Sequence, residues 1–477
     1  MMDRFIGRDL ELSLLNGLLK RVEQGGRAGR PGRAVLIRGR RRVGKSRLVE
    51  EFIDRAGIPS MFYTASGQPT VEADLRLFAE AVTESSLPDT TLFRDQAPGT
   101  WDAALRLLVR SLPDDLPSVI VLDEMPYLIG TDPGFEGTLQ KIFDRELSRK
   151  PVLLICIGSD LAMMESLNAY GRPFHQRATE LVIPPLNPAE AADMLELPAA
   201  DAFDAYLVSG GLPLILDEWP AGATALEYVS QALQDPLSAL LVSGERALAA
   251  EFPPDSQARL VLGAIGSGER TYSKIQQAAA GMPSASLNRA LELLTAKRVV
   301  DVATPLSTRP SRETRYSIAD PHLRFWLAFP GTHMAEIERG RGDLLMRRIK
   351  ASWSTWRGIA VEPVIREALR RISDQLPGDT GAVGGYWTRT NGPEIDLVGA
   401  DRTPIARRIT FLGSIKWRDN HPFDTRDLSE LIVHRSKMPG ADESTPLLVA
   451  SRSGSDVDGL LILSPDDLLV AWHHSAA

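Results

Sequence analysis

The chain has 477 residues, 43% of them hydrophobic and 24% charged, which is the balance of a globular protein and too long for one ordinary core, so two to four domains are expected. Its net charge of −8 excludes a uniformly basic nucleic-acid coat, and no apolar run reaches the length of a membrane span. Cys156 is the only cysteine, which excludes an intrachain disulfide and a cysteine-based zinc site; with no signal-like apolar stretch after Met1, the sequence predicts a cytoplasmic protein.

Residues 5–20 open with Phe5-Ile6-Gly7-Arg8 and continue as a helix with Leu10, Leu12, Leu14, Leu15, Leu18 and Leu19 at its apolar positions. The Gly/Arg stretch 25–33 is a hinge into Ala34-Val35-Leu36-Ile37, an apolar run that reads as a buried strand. Next comes Gly39-Arg40-Arg41-Arg42-Val43-Gly44-Lys45-Ser46, which fits G-x-x-x-x-G-K-[ST] at every fixed position. The glycines let backbone N–H groups turn toward a β-phosphate, Lys45 reaches the β- and γ-phosphates, and the Ser46 hydroxyl can ligate Mg²⁺. Helical spacing follows from Ser46 through Arg47 to Ala56, so the phosphates sit on a helix N-terminus. Residues Gly39 to Arg47 are therefore the nucleotide-binding candidates, with ATP and Mg²⁺ as the implied ligands. At Arg40, Arg41 and Arg42 basic groups raise the local potential, but solvated side chains are the preferred reading.

Met61-Phe62-Tyr63 reads as a short strand, and 72–84 and 100–112 as helices. Ser118 to Asp123 is an apolar strand ending in the pair Asp123-Glu124. A carboxylate there can hold Mg²⁺ opposite Ser46, and a second can orient or deprotonate the attacking water. Helix 135–149 precedes the apolar strand Pro151 to Ile157, which holds Cys156 and ends at Gly158-Ser159. The Ser159 hydroxyl either lies near the γ-phosphate or caps a helix over 160–168. Arg172 and Arg177 flank the turn before a last strand, Leu181-Val182-Ile183. Each is either a γ-phosphate sensor, in cis or from a neighbouring subunit, or half of a surface ion pair. Fully apolar strands alternating with helices predict an α/β fold with a parallel sheet covered on both faces.

Helices are expected at 188–196, 201–209, 224–234 and 236–250, with Gly210-Gly211-Leu212-Pro213 as a turn. Residues 256–326 carry ten Lys/Arg against five Asp/Glu, leaving −13 for the remainder. Their order is a helix at 256–265, a short helix from Thr271, a helix from Ser284 to Lys297, and two strands around 305–312. That is the order of a winged helix-turn-helix. Ser284, Ser286, Asn288 and Arg289 would start its recognition helix, and Arg309, Arg312 and Arg315 lie in its wing. DNA contact and a protein–protein joint both suit such a module. Helices at 321–329 and 343–373, strands within 386–417, a helix at 427–437 and strands at 447–450 and 460–463 form a further α/β unit.

The segment Phe5-Ile6-Gly7-Arg8, the phosphate loop, Val121-Leu122-Asp123-Glu124-Met125-Pro126-Tyr127, Gly158-Ser159 and Gly210-Gly211-Leu212-Pro213 together resemble the archaeal-type P-loop ATPases near the AAA+ and STAND groups, over about residues 3–330. The resemblance implies that Ile6, Gly7, Arg8 and Pro213 line the base pocket. Residues 321–477 resemble the C-terminal domain often fused to these ATPases, itself similar to PD-(D/E)xK nucleases. On that resemblance Glu362, Asp396 and Lys416 mark the metal-dependent site, with Ser414 where the pattern has a glutamate. A hydroxyl cannot replace a carboxylate in neutralising a cation, so a degenerate site is expected.

The domains expected are a P-loop ATPase core at 1–186, a helical lid at 187–252, a winged helix at 253–325 and a nuclease-like α/β domain at 326–477. The expected function is an ATP-binding, ATP-hydrolysing switch, with Lys45, Glu124, Ser159, Arg172 and Arg177 as catalytic candidates and Ser46 and Asp123 as metal ligands. The alternatives are a DNA-binding regulator or defence factor that uses ATP for assembly, and a metal-dependent nuclease. DNA through the winged helix, a protein partner and a second copy of the chain are the partners considered; a membrane is not.

Overall fold

The computed structural model describes residues 5–25, 29–95, 98–159, 161–167, 172, 177–253 and 256–473. The chain separates into two compact units, 1–185 and 186–477.

The first unit runs α1 (Asp9–Glu23), β1 (Arg33–Arg38), α2 (Lys45–Ala56), β2 (Ser60–Thr64), α3 (Val71–Glu84), α4 (Leu92–Asp95), α5 (Trp101–Ser111), β3 (Ser118–Asp123), α6 (Met125–Thr131), α7 (Phe135–Arg145), β4 (Val152–Gly158), α8 (Leu161–Leu167) and β5 (Ala178–Val182). All five strands pair in parallel, in the order β2-β3-β4-β1-β5. The inner strands β3 and β4 are buried along their whole length, and β1 in all but its end residues. This is why they read as unbroken apolar runs rather than alternating ones. On one face Ala34, Leu36, Ile120, Leu122, Leu154 and Cys156 meet the buried stripes of α3, α5 and α7. The neighbouring residues point to the other face, where α1 packs on α2 and β4. Burial pushes the Cys156 thiol up to about 12, so it is an inert core group. The last strand is β5 at Ala178–Val182, earlier than expected, and α6 was not anticipated.

The second unit runs α9 (Pro188–Leu195), α10 (Ala199–Ser209), α11 (Pro213–Asp217), α12 (Ala225–Ala232), α13 (Ala239–Glu251), α14 (Gln257–Gly266), α15 (Tyr272–Ala278), α16 (Ser284–Ala296), β6 (Val300–Ala303), β7 (Arg315–Ile318), α17 (Pro321–Ala328), α18 (Met334–Glu338), α19 (Gly342–Arg371), β8 (Ala382–Trp387), β9 (Glu394–Ala400), β10 (Ile409–Lys416), α20 (Thr425–Lys437), β11 (Leu447–Ser451), β12 (Leu461–Leu463) and α21 (Pro465–Leu469). Helices α14 to α16 with the antiparallel pair β6–β7 make the winged helix. The C-terminal sheet is mixed, ordered β12-β11-β10-β9-β8, with β8 at one edge.

The helical and C-terminal segments share cores. Helix α19 buries Leu345, Met346, Ile349 and Trp353 in the bundle built by α12 and α13. Its second half buries Val361, Ile365 and Ala368 with Phe203 and Leu207 of α10 and Leu397 and Phe411 of the sheet. A buried ionic cluster joins the same elements. Arg357, 2% exposed, donates to Asp204 Oδ2 at 2.8 Å, to Asp419 Oδ2 at 2.8 Å and to the Trp417 carbonyl at 3.3 Å. Arg452 closes the cluster on Asp201 at 2.7 Å and on Asp419 at 2.8 Å. The expected lid at 187–252 and the expected domain at 326–477 thus fold around common side chains.

The wing is docked. Leu306 N–H donates to the Gly385 carbonyl on edge strand β8 at 2.9 Å, and Ala406 N–H to the Ser307 carbonyl at 3.0 Å. The Leu306 side chain is buried among Ile395, Val398, Ala406 and Ile409. Arg315 binds Glu394 at 2.6 Å and Asn391 at 2.9 Å and lies 4.5 Å over the Trp387 ring. Of the three wing arginines named above, Arg315 is therefore committed to the sheet, while Arg309 and Arg312 are exposed.

Candidate functional site

The site of the first unit is built at the C-terminal ends of β1, β3 and β4. Pairing places Arg38 opposite Gly158 and Leu122 opposite Cys156. Because β4 lies between the other two strands, its tip brings Ser159 between the loop after β1 and the carboxylates after β3.

The loop turns on two left-handed residues, Arg42 (φ 68) and Gly44 (φ 86), and Gly44 caps the N-terminus of α2. Glycine at 44 takes that conformation without steric cost, whereas Arg42 carries some strain. Gly39 is required for space: a Cβ there would stand 2.5 Å from the Ile183 carbonyl oxygen. Lys45 is buried, and its Nζ donates to the carbonyls of Gly39 at 2.9 Å and Arg40 at 3.0 Å. Burial lowers the Lys45 pKa, Glu124 and Asp123 oppose this, and Arg41 adds to it. Its ammonium thus lies across the mouth of the loop, on carbonyls it can exchange for phosphate oxygens.

Ser46 Oγ donates to Asp123 Oδ2 at 2.7 Å, and Asp123 Oδ1 accepts the Glu124 N–H at 2.8 Å. Burial raises the Asp123 pKa, with the Ser46 hydrogen bond acting against it. Ser46 and Asp123 are hard oxygen donors that converge, which fits Mg²⁺, a cation usually held by one or two protein ligands plus phosphate oxygens and water. Glu124 sits at φ 52, ψ 43, a left-handed non-glycine residue at the strand-to-helix turn into α6. Such a residue costs of order 1–3 kcal/mol and persists where its surroundings hold it, often at functional sites. Ser159 Oγ donates to Glu124 at 2.9 and 3.0 Å. The hydroxyl is thus spent on the carboxylate.

The other expected residues are placed as follows. Gly7 (φ 73) and Arg8 (φ 65) form the turn before α1. Arg8 is buried and donates to Glu11 at 3.2 Å and to the carbonyls of Val43 at 2.9 Å and Pro184 at 2.7 Å. Its guanidinium braces the phosphate loop; Ile6 beside it is half-buried. Arg172 pairs with Glu136 at 2.5 Å and Arg177 with Asp144 at 3.0 Å, both carboxylates being on α7. The ion-pair alternative is the one this conformation adopts for both. Pro213 opens α11 in the second unit, after Gly210 (φ 62) and Gly211 (φ 69); a Cβ on Gly211 would meet the Leu186 carbonyl at 1.9 Å.

Of Arg40, Arg41 and Arg42, Arg41 is exposed, in keeping with the solvated reading, and also meets two hydroxyls. Its Nη2 donates to the Tyr127 hydroxyl at 3.1 Å and its Nε to Ser159 Oγ at 3.4 Å. Tyr127 is the residue that sequence reasoning missed. Its place three residues after Glu124 was the available signal.

In the second unit a cleft of about 110 Å³ is lined by Glu394, Asp396, Ser414, Lys416, Asp427 and His434, among others. Asp396 Oδ2 accepts from Ser414 Oγ at 3.1 Å and from the Ile415 N–H at 2.9 Å. Lys416 pairs with Asp427 at 3.1 Å, and Glu362 with Arg366 at 2.9 Å. Burial pushes the Glu362 carboxyl up, against the pull of Arg366. Asp396, Ser414 and Lys416, singled out from the sequence, thus line one cleft, where Lys416 is paired with Asp427 and Asp396 accepts from two neutral donors. Among the described residues no group of three or more His, Cys, Asp or Glu is placed to hold a metal ion.

A parallel sheet in this order, with the G-x-x-x-x-G-K-S loop after β1 and an acidic pair after β3, defines the P-loop NTPase fold. Residues 326–429 match the family DUF234, described as archaeal and bacterial proteins of unknown function. The uncharacterized protein MJECL04 of Methanocaldococcus jannaschii is 25% identical over 448 residues, covering 92% of this chain and 93% of that protein. Among solved structures, the Walker-type ATPase PABY2304 of Pyrococcus abyssi is 18% identical with a TM-score of 0.49, over 68% of this chain and 97% of its own. The ORC2 protein of Aeropyrum pernix, solved as ADPNP–ADP complexes, is 16% identical with a TM-score of 0.44, over 74% and 98%. Among the described residues no helix is long and apolar enough to cross a membrane.

Proposed function

We propose that the chain binds ATP with Mg²⁺ and hydrolyses it, and that the nucleotide state acts as a switch on the second unit. The observation that carries this reading is the convergence of Lys45, Ser46, Asp123, Glu124 and Ser159 on three neighbouring strand ends. Backbone N–H groups of the loop and the start of α2 cradle the phosphates. Lys45 leaves the Gly39 and Arg40 carbonyls for the β- and γ-phosphate oxygens. Mg²⁺, when bound, neutralises phosphate charge in the reaction, and Ser46 and Asp123 would hold it. Glu124, held by Ser159, orients the attacking water and accepts its proton. Arg8 takes part by fixing the Val43 carbonyl and so the loop's path.

Lys45→Ala is expected to weaken ATP binding by roughly tenfold to a hundredfold, the worth of about 1.5–3 kcal/mol for a hydrogen bond to a charged group. Titration with a fluorescent ATP analogue checks this, and unchanged affinity would remove the assignment.

A second reading is contact with duplex DNA through α16, whose Ser284, Asn288 and Arg289 are exposed at its N-terminal end. The docked wing offers little to it beyond Arg309 and Arg312. Arg289→Ala is then expected to weaken duplex binding and reduce the salt slope by about 1. Absence of any duplex binding at low salt, with and without ATP, would eliminate this reading.

A further inference from the structure

Phosphoryl transfer spreads negative charge over the γ-phosphoryl oxygens, and an arginine beside them is the usual counter-charge. The two arginines that the sequence offered for this, Arg172 and Arg177, are bound to carboxylates of α7. Arg41 differs from them. It belongs to the phosphate loop itself and is exposed, and its described partners, Tyr127 Oη at 3.1 Å and Ser159 Oγ at 3.4 Å, are both neutral hydroxyls. Releasing a guanidinium from hydroxyls costs far less than breaking a charged pair. Its position is also specific. Ser159 Oγ, which accepts from Arg41, donates in turn to Glu124 at 2.9 Å. One hydroxyl therefore separates the guanidinium from the carboxylate that orients the water. On its other side the Arg41 charge is close enough to Lys45 to act against that ammonium. Two cations facing one loop mouth repel until a polyanion enters between them.

Resting on the ATPase reading above, we propose that Arg41 supplies in cis the arginine that stabilises the transferring γ-phosphoryl group, and that Ser159 and Tyr127 hold it in readiness until charge develops there in the transition state. In the step it serves, the water oxygen bonds to the γ-phosphorus as the bond from that phosphorus to the β–γ bridging oxygen breaks. The electron pair of the broken bond stays with ADP, and the water proton passes to Glu124 and on to solvent. Arg41 moves from the two hydroxyls to the γ-oxygens and releases Ser159 to Glu124 alone.

The test uses the full chain in steady-state ATP hydrolysis, with ATP affinity measured separately by a fluorescent analogue. Arg41→Ala is expected to lower kcat by about 10²–10³-fold, in line with loss of one transition-state donor, while the dissociation constant changes little. Arg41→Lys should recover part of the rate, and guanidinium added to the buffer should raise the rate of Arg41→Ala but not of the parent. Mixing Arg41→Ala chains with Lys45→Ala chains, each weak alone, should restore nothing. An unchanged kcat, a rise in KM at full kcat, or restoration on mixing would each overturn the proposal, the last because the arginine would then act in trans. Failure of the underlying reading is distinct: the parent chain itself would neither hydrolyse ATP nor bind it better than Lys45→Ala.

Discussion

A Glu124→Gln chain is expected to bind ATP as the parent does and to turn it over about 10²–10⁴ times more slowly, the usual worth of a positioned general base. The substitution keeps length and shape, and the amide oxygen can still accept from Ser159, which holds both carboxylate oxygens at 2.9 and 3.0 Å. Glutamine tolerates the backbone of φ 52, ψ 43 as poorly as glutamate does, so the strain at the turn is unchanged. What is lost is a group able to take a proton from water. Single-turnover hydrolysis beside nucleotide titration separates the two effects. Hydrolysis at the parent rate would show that the water is activated elsewhere, while loss of binding would show that Glu124 serves the fold of the loop.

The second large effect concerns stability. Arg357→Ala is expected to destabilise the second unit by about 3–5 kcal/mol, because it strands buried carboxylate charge. Asp204 would keep only Arg452 at 3.3 Å and the Trp417 indole N–H at 3.2 Å. Burial already raises its pKa despite Arg357 and Arg452. The proton uptake that would relieve Asp204 in the variant reports the same imbalance. Chemical denaturation followed by tryptophan fluorescence measures the loss. A companion Arg357→Ala/Asp204→Ala double variant should lose less than the two single losses added together, since removing both partners leaves no stranded charge. A single-variant loss below about 1 kcal/mol, the level of an exposed ion pair, would contradict the buried-cluster account.

What the sequence revealed follows the range over which each feature is determined. The strand, loop and helix from Ala34 to Ala56 are fixed by neighbours in sequence, so β1, the loop and α2 were legible, as were Asp123 and Glu124 at the end of an apolar run. Register then decides what those ends face, and no local pattern says that β4 lies between β1 and β3. The pairings of Arg172 with Glu136 and of Arg177 with Asp144 span 36 and 33 residues and are tertiary accidents to a sequence reader. The role of Arg41 was hidden for the same reason: three consecutive arginines look alike until Tyr127 and Ser159 are placed beside one of them. The domain divisions blurred because α19 reads as one continuous helix while its two halves serve two cores, which its spacing alone cannot reveal.

The docked wing decides where this polypeptide can be cut. A fragment starting near residue 326, where the family match begins, would contain the C-terminal sheet but not Leu306 or Ser307. Strand β8 would lose its cover and present unpaired backbone groups, an open template for another chain. The apolar site that receives Leu306 would be left vacant as well. A soluble piece carrying this sheet therefore needs the wing as well as α10, whose Phe203 and Leu207 share its core, and aggregation of a fragment starting near 326 would report these missing partners rather than a defective sheet.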